Sequence, residues 1–531
     1  EPDDGRSDSG SVAGEVVPPA KPQRRPKRVR GQGVDDPILA LLQLLCALAP
    51  DRAEWRAAAA EVVVSLVGDA AAEQHRAGVQ VDIACLEAGE EHKQAEPSGS
   101  VLVRFLRFLQ QILSCERSTL RVMAVEVTAA ALERSHILAE AAWSRIGSGE
   151  EAAAARARLD VWLFAALARR CDDAVPTVRS HALGGVAVAI APLSKYAGGL
   201  KLLHMALSGE APDEPQSFDI PRMFRSAAMD ERAFTRRASL GLFEAVLKLP
   251  CGTLDIDMET LMGRFNPDLL GHLACDDSQM VRRASISSLA LLMRTWPTQR
   301  ACRLWASNVL PLVLDPEGGI VERALEEVDS AVLQPLARLR GECRPPPIGD
   351  TLAVRARPQL PPVLEVLDSE ATEYLQRAVR CFSHRAQRML LVQFSSSLSS
   401  VVRECLELPL AEWPRAVWSL LEELASMDCK GVAPDLILDA WERFDAVAGP
   451  SANPLAGCGS PTAGHGCTTG RFKPHLLGVQ ILSVLEYVAP SLEARRAAEL
   501  ADGLCRRLSS LAMPTEQVRV AMCVVERLER A

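Results

Sequence analysis

The sequence predicts an all-α solenoid, in which helix pairs stack side by side into an elongated rod. Three observations lead to this prediction. A short sequence pattern recurs at intervals that match the length of one helix pair. The apolar residues that follow each copy have the spacing of one helix face. Runs in which apolar and polar residues alternate, as in a strand, are almost missing. The hydrophobic content of 48% with only 4% aromatic residues favours helices that cross closely through small side chains.

The recurring pattern is an aspartate, five further residues, and an arginine that opens an apolar helix. The three full copies are Asp173 with Arg179, Asp230 with Arg236, and Asp276 with Arg282. A fourth copy begins at Asp315 but has Val321 where the arginine would stand, and Arg121 opens a weaker one. The aspartates follow one another at steps of 57, 46 and 39 residues, which is typical of stacked helix pairs.

Each copy can be built from helix chemistry. We expect the aspartate to end one helix or to cap the next, because its carboxylate can accept orphan backbone N–H groups. Pro176 suits the first turn of a helix. Behind the arginines, apolar residues at i, i+3 and i+7 form one stripe, and an apolar anchor precedes each aspartate by six residues. The anchors are Leu167, Phe224, Leu270 and Val309, and the stripes are Leu183, Val186 and Ile190; Leu240, Phe243 and Leu247; Ile286, Leu289 and Met293; Leu325, Val328 and Val332.

The arginine has two interpretations. In the first, it pairs with an aspartate of its own or the next repeat, and the pairs form a ladder along the stack. In the second, it binds a ligand directly. We favour the ladder, in which Asp173, Arg179, Asp230, Asp276 and Asp315 are structural residues.

Composition divides the chain into four parts. Residues 1–34 are predicted to be a disordered tail, because they are acidic, then proline-rich, then basic, with few large apolar residues. Residues 35–343 form the solenoid with the recurring pattern, and the proline-rich stretch 344–362 is predicted to be an extended linker. Residues 363–531 form a C-terminal helical segment, in which 449–472 is a flexible loop rich in Gly, Ser, Pro and Thr.

Two polar segments carry candidate signals. The tail holds a basic run without any acid, which is typical of a nuclear import signal or of an arm that contacts phosphates. A merely solvated run of charge is the alternative. The basic residues are Lys21, Arg24, Arg25, Lys27, Arg28 and Arg30. In the later loop, Ser460 precedes a proline and is a candidate site for proline-directed phosphorylation.

The sequence contains few residues in patterns that are typical of catalytic, metal-binding or phosphate-binding sites. Cys458, His465 and Cys467 could supply three zinc ligands, but a fourth ligand is not obvious although His475 is near. Glycine pairs lack the context of a phosphate loop, and no serine lies in a nucleophile elbow. We therefore expect neither an enzyme, nor a metal, nor a cofactor.

Charge and cysteine usage narrow the classes of protein. The net charge of −9 argues against a nucleic-acid-binding polycation. The 15 cysteines show no CxxC spacing, which favours free thiols in a reducing compartment. The longest apolar runs are too short to span a bilayer. The chain opens at Glu1 without a signal peptide, and a fragment of a longer protein is one interpretation of that start.

One stretch resembles a known family. Between Phe224 and Leu336 the chain has the helix DDSQMVRRASISSL, a Trp296-Pro297 turn, and the piece WASNVLPLVLD, which ends at Asp315. These features resemble the D-type HEAT-repeat subunit of condensin, and the condensin II version more than the condensin I version. The helix with VERAL, which lacks the arginine, also looks like that family. The resemblance implies a HEAT-repeat-like α-solenoid, and it gives no matching motif beyond Arg344.

The resemblance also implies a function. It predicts a non-catalytic scaffold subunit of a condensin complex that binds the kleisin chain and assists the SMC ATPases in mitotic chromosome condensation. The implied location is the nucleus and the chromosome, without any membrane. The implied partners extend to DNA and chromatin, including methylated histones. The candidate DNA contacts are the paired arginines Arg236, Arg237, Arg282 and Arg283, and the alternative is that the second arginine of each pair is merely solvated. The alternative function is an importin-type or adaptor-type solenoid that binds peptide cargo.

Overall fold

The structure is a computed structural model. It describes residues 37–48, 52–79, 81, 100–143, 149–209, 219–250, 252, 254–338, 362–367, 369–385, 388–448 and 474–530. Across these residues the regular structure is helical, and the predicted all-α, HEAT-repeat-like solenoid is confirmed.

One continuous stack of helices forms the spine of the rod, and each of its helices packs on the next one. These helices include all those that open with a pattern arginine. The stack consists of α2 (Ala53–Arg76), α4 (Ser118–Glu133), α7 (Pro176–Leu193), α10 (Ala233–Leu247), α13 (Gln279–Thr295), α15 (Gly318–Val328), α18 (Ser369–Arg385), α20 (Arg415–Met427), α22 (Pro474–Val488) and α24 (Thr515–Arg530).

The remaining helices form a second layer that covers one side of the stack. They are α1 (Pro37–Leu48), α3 (Val101–Leu113), α5 (Ser135–Trp143), α6 (Gly149–Arg170), α8 (Ala197–Ser208), α9 (Ile220–Ala228), α11 (Met258–Phe265), α12 (Leu269–Ala274), α14 (Gln299–Val309), α16 (Gln334–Arg338), α17 (Pro362–Val366), α19 (Arg388–Cys405), α21 (Pro434–Ala448) and α23 (Ala494–Ser509). A 3₁₀ turn at Leu310–Leu314 extends α14, and a π-helical turn at Asp329–Leu333 joins α15 to α16.

Capping residues determine where several helices of the second layer begin and end. The side chains of Asp219, Asp257 and Thr298 each accept a hydrogen bond from a backbone N–H in the first turn of α9, α11 and α14. Helix α8 ends at Gly209, whose φ of 72° lies in the left-handed region that glycine adopts at low cost. These short helices therefore have definite ends although their packing faces are small.

The core lies between the two layers. All the predicted anchors and stripe residues are buried, which confirms the apolar spacing that the sequence shows. At the centre, the rings of Phe224, Phe243 and Phe265 meet pairwise with centroids 5.2 to 5.5 Å apart, and they join α9, α10 and α11. A single helix pair could not cover these rings, so each repeat depends on its neighbours for burial.

The C-terminal helices continue the same stack. Helix α17 packs on α14, and α18 packs on the 3₁₀ turn after α14 and on α15. Further along, Trp413 and Trp418 are buried with stacked rings 5.7 Å apart, and Trp441 is also buried. Most of the predicted linker 344–362 and the predicted loop 449–472 lie outside the described residues, and their boundaries stay predictions.

No helix among the described residues combines the length and the apolar character that a bilayer crossing requires.

Helix α10 offers a matched test of the core, because it carries one buried and one exposed phenylalanine. Phe243 is fully buried, whereas Phe234 is 38% exposed. We expect Phe243→Ala to lower the free energy of unfolding by about 3 to 5 kcal/mol, since it removes a ring and leaves a cavity. We expect Phe234→Ala to change it by less than about 0.5 kcal/mol. Urea unfolding followed by circular dichroism measures both, and equal losses would contradict the packing described here.

Candidate functional site

A ladder of four arginine–aspartate pairs runs along the stack, and each pair joins one repeat to the next. The guanidinium of one stack helix binds the carboxylate that precedes the following stack helix. The pairs and their N–O distances are Arg121–Asp173 at 3.0 and 2.9 Å, Arg179–Asp230 at 2.7 and 2.6 Å, Arg236–Asp276 at 2.5 and 2.8 Å, and Arg282–Asp315 at 2.8 and 2.9 Å. The sequence pattern left open whether the partner lies in the same or the next repeat, and in the structure it is the next.

Each arginine also holds its own repeat. Nη1 of Arg179 donates to the backbone carbonyl of Asp173 at 2.8 Å, and Arg236 and Arg282 make the same bond to the aspartates that precede them. One guanidinium therefore ties the turn of its own repeat to the carboxylate of the next one. Because the guanidinium is a planar fork of N–H donors, it can serve both partners without changing rotamer.

The ladder aspartates have the first of the two predicted roles: each lies at the end of the preceding helix, where its backbone N–H donates to a carbonyl of the last turn, and none is the N-cap residue of the stack helix. The carboxylate of Asp276 accepts the N–H of Ser278 at 2.8 Å, and Ser278 is itself the N-cap residue of α13, without a side-chain cap bond. The other ladder aspartates likewise accept from the residue two positions on. The carboxylate of each ladder aspartate thus closes the turn before the stack helix and at the same time binds the arginine of the preceding stack helix. Pro176 does occupy the predicted first turn of α7.

The ladder has defined ends. Arg56 occupies in α2 the same helical position as the ladder arginines, but Cys115 stands where the next aspartate would be. Arg56 instead pairs with Glu126 of α4 at 3.1 Å. At the other end, Val321 offers no donor, so Asp315 is the last carboxylate of the ladder.

The pairs are shielded from water. The arginine side chains are 11% to 18% exposed and the aspartate side chains 3% to 8%. Burial acts to raise the pKa of Asp173 and Asp276, but hydrogen bonds from arginine and from a backbone N–H outweigh it, so both pKa values lie below the ordinary range. Hydrogen bonds to the aspartates raise the pKa of Arg236 and Arg282. In the Arg236–Asp276 pair both partners therefore stay charged near neutral pH.

The four arginines predicted to contact DNA fall into two classes. Arg236 and Arg282 are ladder residues whose guanidinium groups bind carboxylates and carbonyls within the solenoid. Arg237 and Arg283 are exposed at the next position of each helix, and neither makes an ion pair with the described residues. Only the second class can offer its charge to a partner without breaking a repeat contact.

Two features of this surface were not predicted. Phe234 and Met280 are 38% and 51% exposed, and each lies three residues before one of the free arginines, Arg237 and Arg283. The equal offset in two repeats was a usable sequence signal. In the last repeat of the pattern, buried Glu327 accepts from Arg294 and Arg323, a contact that the apolar spacing does not encode.

The other predicted sites are not placed. The basic residues Lys21 to Arg30, the serine Ser460, and the Cys458 to Cys467 segment lie outside the described residues. His475 lies in α22, where its backbone carbonyl accepts from Gln517 at 3.1 Å. Within the described part of the chain, no group of three or more His, Cys, Asp or Glu side chains is arranged for a metal ion.

The fold and the ladder define a class of protein: a HEAT-repeat-like solenoid whose repeats are joined by buried arginine–aspartate pairs. No protein-family model matches the chain. The condensin-2 complex subunit CAP-D3 of Arabidopsis thaliana is 22% identical over an alignment of 378 positions, which covers 66% of this chain and 27% of that protein. The condensin-2 complex subunit D3-L of Xenopus laevis is 23% identical over an alignment of 541 positions, which covers 92% of this chain and 30% of that protein.

The similar curated proteins are thus D3 subunits of condensin-2, and the resemblance predicted from the sequence is confirmed. The chain spans less than a third of the length of these relatives.

Solved structures give weaker similarities. The C-terminal fragment of the cohesin loader SCC2 of Chaetomium thermophilum aligns with 93% of this chain and 37% of its own, at 11% identity and a TM-score of 0.47. An engineered protein aligns with 93% of this chain at 12% identity and a TM-score of 0.27. The fold therefore rests on the helix packing of this chain.

Asp276 and Asp277 provide a matched test of the ladder, because they are adjacent carboxylates and only Asp276 is a partner of Arg236. We expect Asp276→Ala to lower the free energy of unfolding by about 2 to 4 kcal/mol, since it leaves a shielded guanidinium unpaired and opens the turn at Ser278. We expect Asp277→Ala to have an effect below about 0.5 kcal/mol. Thermal and urea unfolding measure both variants. A small loss for Asp276→Ala would show that the ladder pair contributes little.

The ladder also predicts a pH dependence. Because the folded-state pKa of Asp276 is depressed, its contribution is complete above the unfolded pKa of about 3.9 and is lost as pH falls through the folded value. The difference in unfolding free energy between the wild type and Asp276→Asn should therefore shrink as pH falls below about 4. Urea titrations at neutral and acidic pH measure it, with Asp277→Asn as the control. A difference that stays constant with pH would contradict the charged pair.

Proposed function

We propose that this chain is a non-catalytic scaffold subunit of a condensin II-type complex. It binds a kleisin segment and lies beside the SMC ATPases, which perform the chemistry of chromosome condensation. The similarity to condensin-2 D3 subunits, which extends over 92% of the chain in the Xenopus laevis protein, carries the proposal.

The geometry supports a scaffold in two ways. The helices form one solenoid in which each stack helix packs on the next, and four junctions between repeats carry an arginine–aspartate ion pair as well. A rod of this kind presents long surfaces at fixed spacing, which suits extended partners better than small ligands.

The location and the finer contacts belong to the same proposal. A subunit of this complex acts in the nucleus on chromosomes in mitosis, and the basic run Lys21 to Arg30 is the predicted import signal. Contact with DNA stays a prediction for Arg237 and Arg283, since their charges are free, while contact with methylated histones and phosphorylation of Ser460 stay predictions from sequence.

An importin-type or adaptor-type solenoid is the alternative function. Such a receptor would need many regular copies of one repeat, whereas the aspartates here recur at unequal steps of 57, 46 and 39 residues. Both curated relatives are also named as condensin-2 subunits.

Affinity purification of the tagged chain from nuclear extract of its own organism, read by mass spectrometry, tests the proposal. We expect SMC ATPases and a kleisin to be enriched over an unrelated protein with the same tag. Enrichment of nucleoporins and Ran without any SMC protein would instead establish the transport solenoid and refute the condensin scaffold.

A further inference from the structure

A mixed apolar and basic strip lies at one edge of the solenoid, beside the ladder. It consists of Phe234 and Arg237 on α10 and of Met280 and Arg283 on α13, and we call it the edge strip. Within each helix the two side chains are three residues apart, so they share a face. Between the helices, Nη1 of Arg237 lies 3.9 Å from Sδ of Met280. The four side chains therefore form one continuous exposed surface.

The strip is confined to two repeats. The equivalent positions are Thr177 and Ser180 on α7, and Gly319 and Glu322 on α15. Neither pair combines an apolar side chain with a cation. The ladder needs no such residues, because its pairs are complete in α7 without them. The apolar–basic pairs of α10 and α13 are thus not required for the contacts that join one repeat to the next.

The chemistry of the strip distinguishes between partners. Phosphate groups on duplex DNA satisfy arginines but leave exposed methionine and phenylalanine side chains without an apolar surface to bury them. Methionine, aromatic residues and arginine together are typical of surfaces that bind polypeptides. Arg237 and Arg283 make no ion pair with the described residues, whereas Glu231, in the turn before α10, pairs with Arg232 at 3.7 Å.

We propose that the edge strip binds an extended polypeptide segment of a partner in which a pair of one acidic and one bulky apolar residue recurs every three residues. The acids meet Arg237 and Arg283, and the apolar side chains cover Phe234 and Met280. This inference deepens the proposed scaffold function, since it names a contact by which the rod holds a partner chain.

The distance between α10 and α13 determines how far apart the contacting residues of the partner must lie. Packed helix axes lie about 8 to 10 Å apart, and a chain in the extended polyproline II conformation advances about 3.1 Å per residue and turns the same side toward the strip every three residues. Equivalent points on α10 and α13 are therefore about three residues of the partner apart. The segment that fits carries two acid–apolar pairs separated by a single residue.

A binding experiment with the full chain tests the inference. The probe is a fluorescent peptide with two Glu-Leu pairs separated by one glycine, and fluorescence anisotropy reports its affinity. We expect Arg237→Glu with Arg283→Glu to weaken binding by roughly tenfold or more, because each reversal replaces an attraction with a repulsion. We expect Phe234→Ser with Met280→Ser to weaken it by about fivefold, because they remove apolar contact.

Matched controls come from the far end of the rod. Arg495 and Met522 are exposed on α23 and α24, so Arg495→Glu with Met522→Ser makes the same kinds of change away from the strip. This variant should bind the peptide as the wild type does, and all variants should unfold at the wild-type temperature. A second peptide with serine in place of leucine should bind about fivefold more weakly than the first.

Three outcomes would overturn the inference. The first is peptide binding that the strip variants do not change. The second is equal binding of the leucine and serine peptides. The third is a short DNA duplex that binds through Arg237 and Arg283 while Phe234→Ser with Met280→Ser has no effect, which would make the strip a DNA contact. The peptide experiment needs no condensin partner, so its failure leaves the scaffold function to the purification of the wild-type chain.

Discussion

The ion pair between an arginine of one repeat and an aspartate of the next is the constraint on which the register of the solenoid from α4 to α15 depends. Apolar stripes drive neighbouring helices together, but a stripe alone permits them to slide and rotate against each other. The guanidinium of Arg236, held at once by the carbonyl of Asp230 and by the carboxylate of Asp276, fixes both the turn and the neighbour. Packing supplies the stability of the solenoid, and the ladder supplies its register.

This arrangement explains which exposed residues are free to act. A ladder arginine cannot leave its carboxylate without leaving a shielded charge behind, so it contributes to partner binding only at the expense of the fold. The next residue in the sequence, Arg237 or Arg283, makes no ion pair within the described solenoid, so it can bind a partner without weakening the fold. Adjacent arginines that look alike in the sequence therefore have different roles, and the difference arises from one step of 100° around the helix.

Sequence reasoning predicts the fold because burial follows helical spacing, as in Leu240, Phe243 and Leu247. It does not choose between Asp230 and Asp276 as the partner of Arg236, because the choice depends on how far one repeat lies from the next. It also does not predict that Arg56 pairs with Glu126, which it does because Cys115 stands where the next ladder aspartate would be. Surface features such as Met280 are hard to predict, since exposure depends on neighbours that only the folded stack brings together.

The ladder also has a consequence for how such a chain can change over generations. Each bond joins an arginine of one unit to the aspartate that begins the next unit, whatever the number of residues between them. Steps of 57 and 39 residues thus end in the same bond. The number of residues between two aspartates can therefore change without loss of the bond, because the extra residues lie between the two partners of successive pairs and not within a pair. Repeats of unequal length thus share one kind of joint.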